Sequence, residues 1–378
     1  MTGSALRVGL IVPRFAPYLG GAETYAAQAA AALAAKGVEV TVITQIPRAS
    51  TLSARDRRDG YNIERHHLPV AEVFDVPSPA AAGAARQSRR FDVVWVHSYH
   101  TPLAWLAAEL AKAPVVFTPW YHGAGHTPMR DALHRFYRPA GRRLMAASRR
   151  ILVASQAEAD LVLRDFPRHV DRDKITLAPV GIADPVGGRE PYPNESNVVL
   201  TIARQEPYKR TDVLIRAVAL LRDRGVPARL VVVGQGSALA AYQELAAALD
   251  ATDVVSFTGA IDDESLRRWW ATASLYATAS LHEAFGLCLG EALVAGLPVV
   301  ASGIGAHREV VRRAGPGAAA ALCELDDADT DAAPQYAEAI ARLLSSADSR
   351  KQRSARCTLP TEAEMVSHLL ETLSAARS

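Results

Sequence analysis

Around residues 180–197 an otherwise regular alternation breaks off and then restarts. Gly181, Pro185, Gly187, Gly188, Pro191 and Pro193 crowd a polar stretch there, and that composition is linker chemistry. On either side, short apolar runs alternate with segments that read as helices. The runs are 7–12, 38–43, 93–97, 115–118 and 151–154 before the break, and 198–203, 229–233, 254–258, 275–277 and 298–301 after it. Continuous apolar runs of this length suit strands buried on both faces, and strands alternating with helices build parallel sheets. A chain of 378 residues is also too long for one typical core. The expected fold class is therefore α/β, with two Rossmann-like doubly wound domains, one at 1–186 and one at 187–360. The alanine-rich patch at 80–85 reads as helix or linker. Ligands of such sheets bind at strand carboxyl ends, so the expected site is a central cleft between the domains.

Composition removes several classes. Hydrophobic residues make up 49 % and charged residues 22 %, and no run approaches the ~18 apolar residues of a membrane span. Met1 to Leu6 lead directly into the first strand, so no signal peptide is expected. Cys288, Cys323 and Cys357 are odd in number and lack metal-ligand spacing. They read as free thiols in a reducing compartment, which makes the expected location cytoplasmic. A net charge of +2 gives no reason to expect nucleic acid as a partner.

The densest chemistry lies in the second half. Glu283 and Glu291 bracket the run Glu-Ala-Phe-Gly-Leu-Cys-Leu-Gly-Glu. A strand precedes it, Gly286 stands where a helix should begin, and the helix ends at Gly296. Glu283 then lies in a strand-to-helix loop and Glu291 inside the helix. Amides at that helix start could hold a phosphate, and the two carboxylates could grip sugar and ribose hydroxyls. Arg204 and Lys209 follow the strand at 198–203, where two cations suit a diphosphate better than a solvated surface pair. Gly234 and Gly259 follow the next two strands, and each alone is an ordinary turn signal.

The first half offers weaker signals. Gly20 and Gly21 follow the first strand, where glycines let an anion approach a helix start. The segment lacks the dinucleotide pattern Gly-x-Gly-x-x-Gly. His97 and His100 follow the apolar stretch at 93–96, and Trp120, His122 and His126 follow the strand at 115–118. Histidines at strand ends could bond a sugar or move protons. No carboxylate or cysteine joins them at ligand spacing, so no metal is expected. Residues 128–150 carry seven arginines against Asp131 alone, with Leu133, Phe136, Tyr137, Leu144 and Met145 interleaved. That pattern fits either a solvated helix surface or a basic face for anionic lipid.

Taken in order, these residues resemble the retaining glycosyltransferases of family 4, which have the GT-B fold. The matching features are Gly20-Gly21-Ala22-Glu23, Ala203-Arg204 with Lys209-Arg210, Val232-Val233-Gly234-Gln235-Gly236, and Glu283-Ala-Phe-Gly-Leu with Glu291-Ala292 and Gly296-Leu-Pro-Val299. The resemblance implies a nucleotide-diphosphate sugar as co-substrate, UDP- or GDP-linked, with no other cofactor. By matched position it implies that Arg204 and Lys209 hold the diphosphate, Glu291 the ribose and Glu283 the transferred sugar. Phe285, Gly286 and Leu287 would offer amides, and Gly20 and Gly21 would close over the diphosphate. It also implies that a C-terminal helix in 361–378 packs back on the first domain. Three places depart from the family pattern. Trp120 occupies a position where the family often has histidine, with His122 two residues later. Gly290 replaces a larger apolar residue, and residues 179–184 lack the usual asparagine.

The expectation for function is transfer of a hexosyl unit to a hydroxyl acceptor with retention and without a metal. Arg204, Lys209, Glu283 and His122 are the candidate catalytic residues, and His97, Trp120 and His126 face the acceptor. A lipid-linked or phosphate-bearing acceptor at the inner membrane face suits the basic 128–150 segment, with cell-surface glycan or glycolipid synthesis as the setting. A small soluble natural-product precursor is the alternative acceptor. A nucleotide-sugar 2-epimerase and a non-catalytic nucleotide-sugar binder are the competing classes.

Overall fold

The computed structural model describes residues 5–18, 20–70, 76–87, 90–123, 128–325, 332–345 and 350–377, and only the backbone of 85 and 128–136. His126 lies outside the described residues. The chain divides into two units, Met1–Gly181 with Pro360–Ser378, and Ile182–Leu359. The division falls just ahead of the expected 186–187 boundary.

The first unit runs β1 (Arg7–Ile11), α1 (Gly21–Ala35), β2 (Glu39–Ile46), β3 (Arg55–Arg58), β4 (Tyr61–His67), α2 (Pro79–Arg86), β5 (Val93–His97), α3 (Pro102–Leu110), β6 (Val115–Thr118), α4 (Pro128–Ala147), β7 (Arg150–Val153), α5 (Gln156–Asp165) and β8 (Ile175–Leu177). Its sheet has the order β3-β4-β2-β1-β5-β6-β7-β8. All pairs are parallel except β3 with β4. The order reverses between β1 and β5, so the loops at their carboxyl ends diverge and leave a crevice. β5 is buried along its whole length, with Val94 and Val96 on the face that packs on α3 and α4. The β3–β4 hairpin is an addition that the apolar rhythm does not announce. It turns at Asp59 and Gly60, both with positive φ (48° and 84°), the backbone a tight two-residue hairpin requires. All four residues of β3 are exposed and charged, which protects a sheet edge from further pairing.

The second unit continues with β9 (Val198–Ile202), α6 (Thr211–Asp223), β10 (Arg229–Val233), α7 (Leu239–Ala248), β11 (Val255–Gly259), α8 (Asp263–Thr272), β12 (Leu275–Thr278), α9 (Leu287–Val294), β13 (Val299–Ser302), α10 (Gly305–Arg313), β14 (Ala320–Cys323), α11 (Ala333–Leu344) and α12 (Arg350–Ala355). The sheet is parallel throughout, in the order β11-β10-β9-β12-β13-β14. Here β9 and β12 are neighbours although their first residues, Val198 and Leu275, stand 77 positions apart in the chain. Their pairing is the point where the order reverses, and it brings the loops carrying Lys209 and Glu283 side by side. A core of apolar side chains from α6, α7 and α11, Tyr242 and Tyr336 among them, covers one face of this sheet. The last helix, α13 (Glu362–Arg377), belongs to the first unit, where it packs on α1, β5 and β6.

Candidate functional site

In the second unit the loops after β9 and β12 are tied by main chain, with the Leu281 N–H donating to the Tyr208 carbonyl at 2.9 Å. Across that tie Lys209 Nζ donates to Glu283 Oε1 at 2.5 Å. Their side chains are 13 % and 24 % exposed, so water screens the pair little. Lys209 also lies over the Tyr208 ring, 5.0 Å from its centroid. Burial alone would disfavour the Lys209 ammonium, but the Glu283 and Tyr208 charges outweigh it, and its pKa ends above that of an ordinary lysine. Burial likewise pushes Glu283 up, yet Lys209, His307 and hydrogen bonds from Lys209 and Ser280 pull it below the usual range. Both groups are therefore charged at neutral pH.

Glu291 behaves oppositely. It lies in α9, three residues beyond Cys288, and burial raises its pKa despite that thiol's hydrogen bond and Arg267. Cys288 itself is pushed well above an ordinary thiol by burial and by the two glutamates. The two carboxylates that look equivalent in sequence thus have pKa values pushed in opposite directions.

Gly286 caps α9 from the left-handed region (φ 92°), which only glycine enters without strain. Beside it, a Cβ would meet His307 Cδ2 at 3.0 Å. His307 is 1 % exposed, and its Nδ1 lies 3.0 Å from the Ser302 carbonyl and 3.1 Å from Ser302 Oγ. Ser302 Oγ donates its one proton to the Ser280 carbonyl at 2.5 Å. Both oxygens near Nδ1 must then accept, so the imidazole carries its proton on Nδ1. The chain Ser280–Ser302–His307 braces the turn that places the Phe285, Gly286 and Leu287 amides at the start of α9. Phe285 is buried there.

Arg204 is exposed and donates to the Tyr208 hydroxyl at 3.5 Å. Next to it Gln205 is fully buried. Its Nε2 donates to the Ala203 and Val233 carbonyls (2.9 and 3.1 Å), and its Oε1 accepts from Thr211 Oγ1 (2.8 Å). Gln205 thus locks the Arg204–Lys209 loop to β10 and to the first turn of α6. Gly234 follows the neighbouring strand β10, and its N–H donates to the Gly259 carbonyl at 2.8 Å. The sequence pattern pointed to the cations and passed over Gln205 and His307. A polar residue between the two cations, and a histidine just past a strand end, were the available signals.

In the first unit, Gly20 caps α1 with extended backbone, and nothing stands within 4 Å of the place a Gly21 Cβ would take. Glu23 fills the space beside Gly20 and pairs with Arg14 at 3.1 Å. His97 and Trp120 meet, with the indole Nε1 donating to His97 Nδ1 at 3.4 Å. His122 is in another group, stacked on His100 with centroids 4.5 Å apart. Within each unit, the described candidates other than Glu291, which lies inside α9, fall in or beside the segments that follow strand carboxyl ends. Among the described residues no group of three or more His, Cys, Asp or Glu gathers as for a metal ion, and no helix is long and apolar enough to cross a membrane.

The chain is similar to known proteins. A family model described as glycosyltransferase family 4 matches residues 19–184, and one described as glycosyl transferases group 1 matches 188–357. A D-inositol 3-phosphate glycosyltransferase of Stackebrandtia nassauensis is 30 % identical over 323 residues, covering 76 % of this chain and 72 % of the relative. Sucrose-phosphate synthase from Thermosynechococcus elongatus has a TM-score of 0.74 at 20 % identity, covering 98 % of this chain and all of the other. HepE from Anabaena, solved with UDP and glucose, has a TM-score of 0.73 at 16 % identity with the same coverage. At those identities the structures speak for the fold, and the family matches and the relative speak for the chemistry. With two α/β units built on parallel strand cores, both halves matched and paired glutamates around a helix start, the chain belongs to the family 4 glycosyltransferases of the GT-B fold.

Proposed function

We propose that this glycosyltransferase moves a hexosyl unit from a nucleotide-diphosphate sugar to a hydroxyl acceptor with retention of configuration and without a metal. The observation that carries the proposal is the half-buried Lys209–Glu283 pair beside the start of α9. A diphosphate leaving group needs its developing negative charge stabilised, and preorganised donors do this best. Lys209, Arg204 and the Phe285, Gly286 and Leu287 amides are assigned to that charge. Glu283 takes the transferred sugar, Glu291 the ribose, and Gly234 stands beside the nucleotide. Gly20 and Gly21 are assigned to the diphosphate from the first unit. Because HepE was solved with UDP, a uridine donor is favoured.

Glu283 is engaged by Lys209, and Glu291 sits in a helix with a raised pKa, so neither suits a nucleophile. In the course that the family resemblance implies, the anomeric carbon–phosphate oxygen bond breaks while the acceptor oxygen adds on the same face. The acceptor proton passes to the leaving phosphate oxygen. The acceptor side falls to the strand-end loops of the first unit, which carry His97, Trp120, His122 and His126. A phosphate-bearing acceptor fits the relative's name and the exposed Arg142, Arg143 and Arg149 in and after α4. The same arginines would favour peripheral contact with anionic lipid at the inner membrane face.

The test is release of nucleotide from UDP-, GDP-, ADP- and dTDP-glucose in the presence of EDTA, followed by NMR of the anomeric proton in the product. UDP-linked turnover and an α-product from an α-donor are expected. An inverted product, or activity abolished by EDTA and restored by Mg²⁺, would sink the mechanism.

A further inference from the structure

In the first unit four aromatic side chains from three separate segments form one box. Trp95 and His97 come from β5, Tyr25 from α1 and Trp120 from the loop after β6. Tyr25 meets the Trp120 ring edge-on at 4.9 Å and Trp95 meets His97 at 4.6 Å. Trp95 Nε1 donates to Thr118 Oγ1 at 2.8 Å. Trp95, His97 and Tyr25 are buried, while Trp120 is only half-buried. The box stands at the carboxyl ends of β5 and β6, beside the reversal between β1 and β5 where ligands of such sheets bind.

Two features are unexplained by packing. Trp120 holds φ at 51°, in the left-handed region where a bulky side chain is an outlier. Backbone strain of this kind gathers at ligand clamps. The second is His97, which is 1 % exposed. An indole N–H can only donate, so His97 Nδ1 accepts and the ring proton sits on Nε2. That Nε2 has no partner among the described residues, and buried donors left unpaired are rare. Burial drives the His97 pKa to about 3, so the ring stays neutral and offers a hydrogen bond without attracting an anion.

We infer that Trp120 is a specificity-determining residue whose indole stacks on the apolar face of a hydroxylated ring, a sugar or cyclitol acceptor, while His97 fixes the indole and offers Nε2–H to a ring oxygen. The inference rests on the assignment of this unit's strand-end loops to the acceptor. An aromatic face suits the C–H face of a saturated ring and gives an open-chain polyol little.

The experiment compares ring acceptors (myo-inositol, methyl glucoside and their monophosphates) with open-chain ones (glycerol, sorbitol and their monophosphates). The donor is the nucleotide sugar that the wild type hydrolyses. Trp120→Gly suits the backbone at φ 51° and keeps the fold testable. It should raise KM for ring acceptors by about tenfold, with far smaller changes for open-chain acceptors and for the donor. Trp120→Phe should recover part of that loss. An equal loss on both acceptor classes, a loss confined to donor KM, or unchanged kinetics overturns the inference. So does a wild type that hydrolyses donor yet transfers to no ring acceptor. A wild type with no donor turnover at all would count against the underlying transferase assignment instead.

Discussion

Lys209 and Glu283, 74 positions apart in the chain, already form an ion pair at 2.5 Å. On the proposed assignment, an incoming donor meets a neutralised cation, and its diphosphate shares or replaces the Glu283 carboxylate. If Glu283 turns instead to a sugar hydroxyl, one movement frees the ammonium and seats the sugar. The pair then couples recognition of the two halves of the donor.

Lys209→Ala should separate catalysis from folding. Losing one preorganised charge typically costs about 10²–10³-fold in turnover. It also strands Glu283, at about 2 kcal/mol, between the ~0–1 of an exposed pair and the ~3–5 of a fully buried one. Adding Glu283→Gln should recover most of that stability and none of the turnover. Nucleotide release and thermal melts of both variants test this. A double variant as unstable as Lys209→Ala would show that the stranded charge is not the cause.

Glu291 should reveal itself in the pH dependence of stability. Its folded-state pKa is raised, chiefly by burial. The folded protein thus binds a proton more tightly than the unfolded chain, and the charged form works against folding at neutral pH. Glu291→Gln should melt higher than wild type at pH 7. The gap should close as pH falls through the raised folded value toward about 4.3, the ordinary glutamate pKa, where the wild type also becomes neutral. Donor KM should rise in the same variant if Glu291 holds the ribose. Melting curves at several pH values decide the first point; a gap that widens on acidification would reverse the sign.

Gly286→Ala probes the helix start. The residue sits at φ 92°, and a new Cβ would come within 3.0 Å of His307 Cδ2. Left-handed backbone costs an L-residue about 1–2 kcal/mol, and the contact with His307 adds to that. His307→Ala in the same chain should relieve only the steric part. Denaturation midpoints of the two variants measure the split, and complete recovery in the double variant would mean that backbone conformation matters little here.

The strand rhythm, the glycine-started helix α9 and the cations after β9 were all readable in the sequence because each is a local pattern of burial or charge. The β3–β4 hairpin was not, since Arg55–Arg58 has no apolar alternation and only the Asp59-Gly60 turn marks it. Gln205 and His307 were hidden for a different reason. Their roles come from partners such as Val233 and Ser302 that only the folded chain brings within reach. The meeting of Lys209 with Glu283 likewise depends on β9 lying beside β12. Trp120 could be recognised as a departure from the family pattern, but its box required Tyr25 from α1 and His97 from β5. Patterns within an element survive in sequence, and contacts between elements wait for topology.

Glu158 supplies the last prediction, one for the frame of the first unit. It is buried in α5, and its carboxylate accepts from the Tyr121 N–H at 2.6 Å and the Ala154 N–H at 2.8 Å. It thereby ties the loop after β6, which carries Trp120 and His122, to the end of β7. Glutamine has the same shape but only one accepting atom, and its amide N–H₂ would face one of these donors. Glu158→Gln should cost about 2–3 kcal/mol, the range for leaving a buried donor unpaired beside a lost charge-assisted bond. Because the tie positions the loop, acceptor KM should rise while donor KM moves less. Calorimetry and initial rates on the same preparation test both halves. A destabilised variant with unchanged acceptor KM would leave Glu158 as a brace for the sheet with no hold on the loop's function.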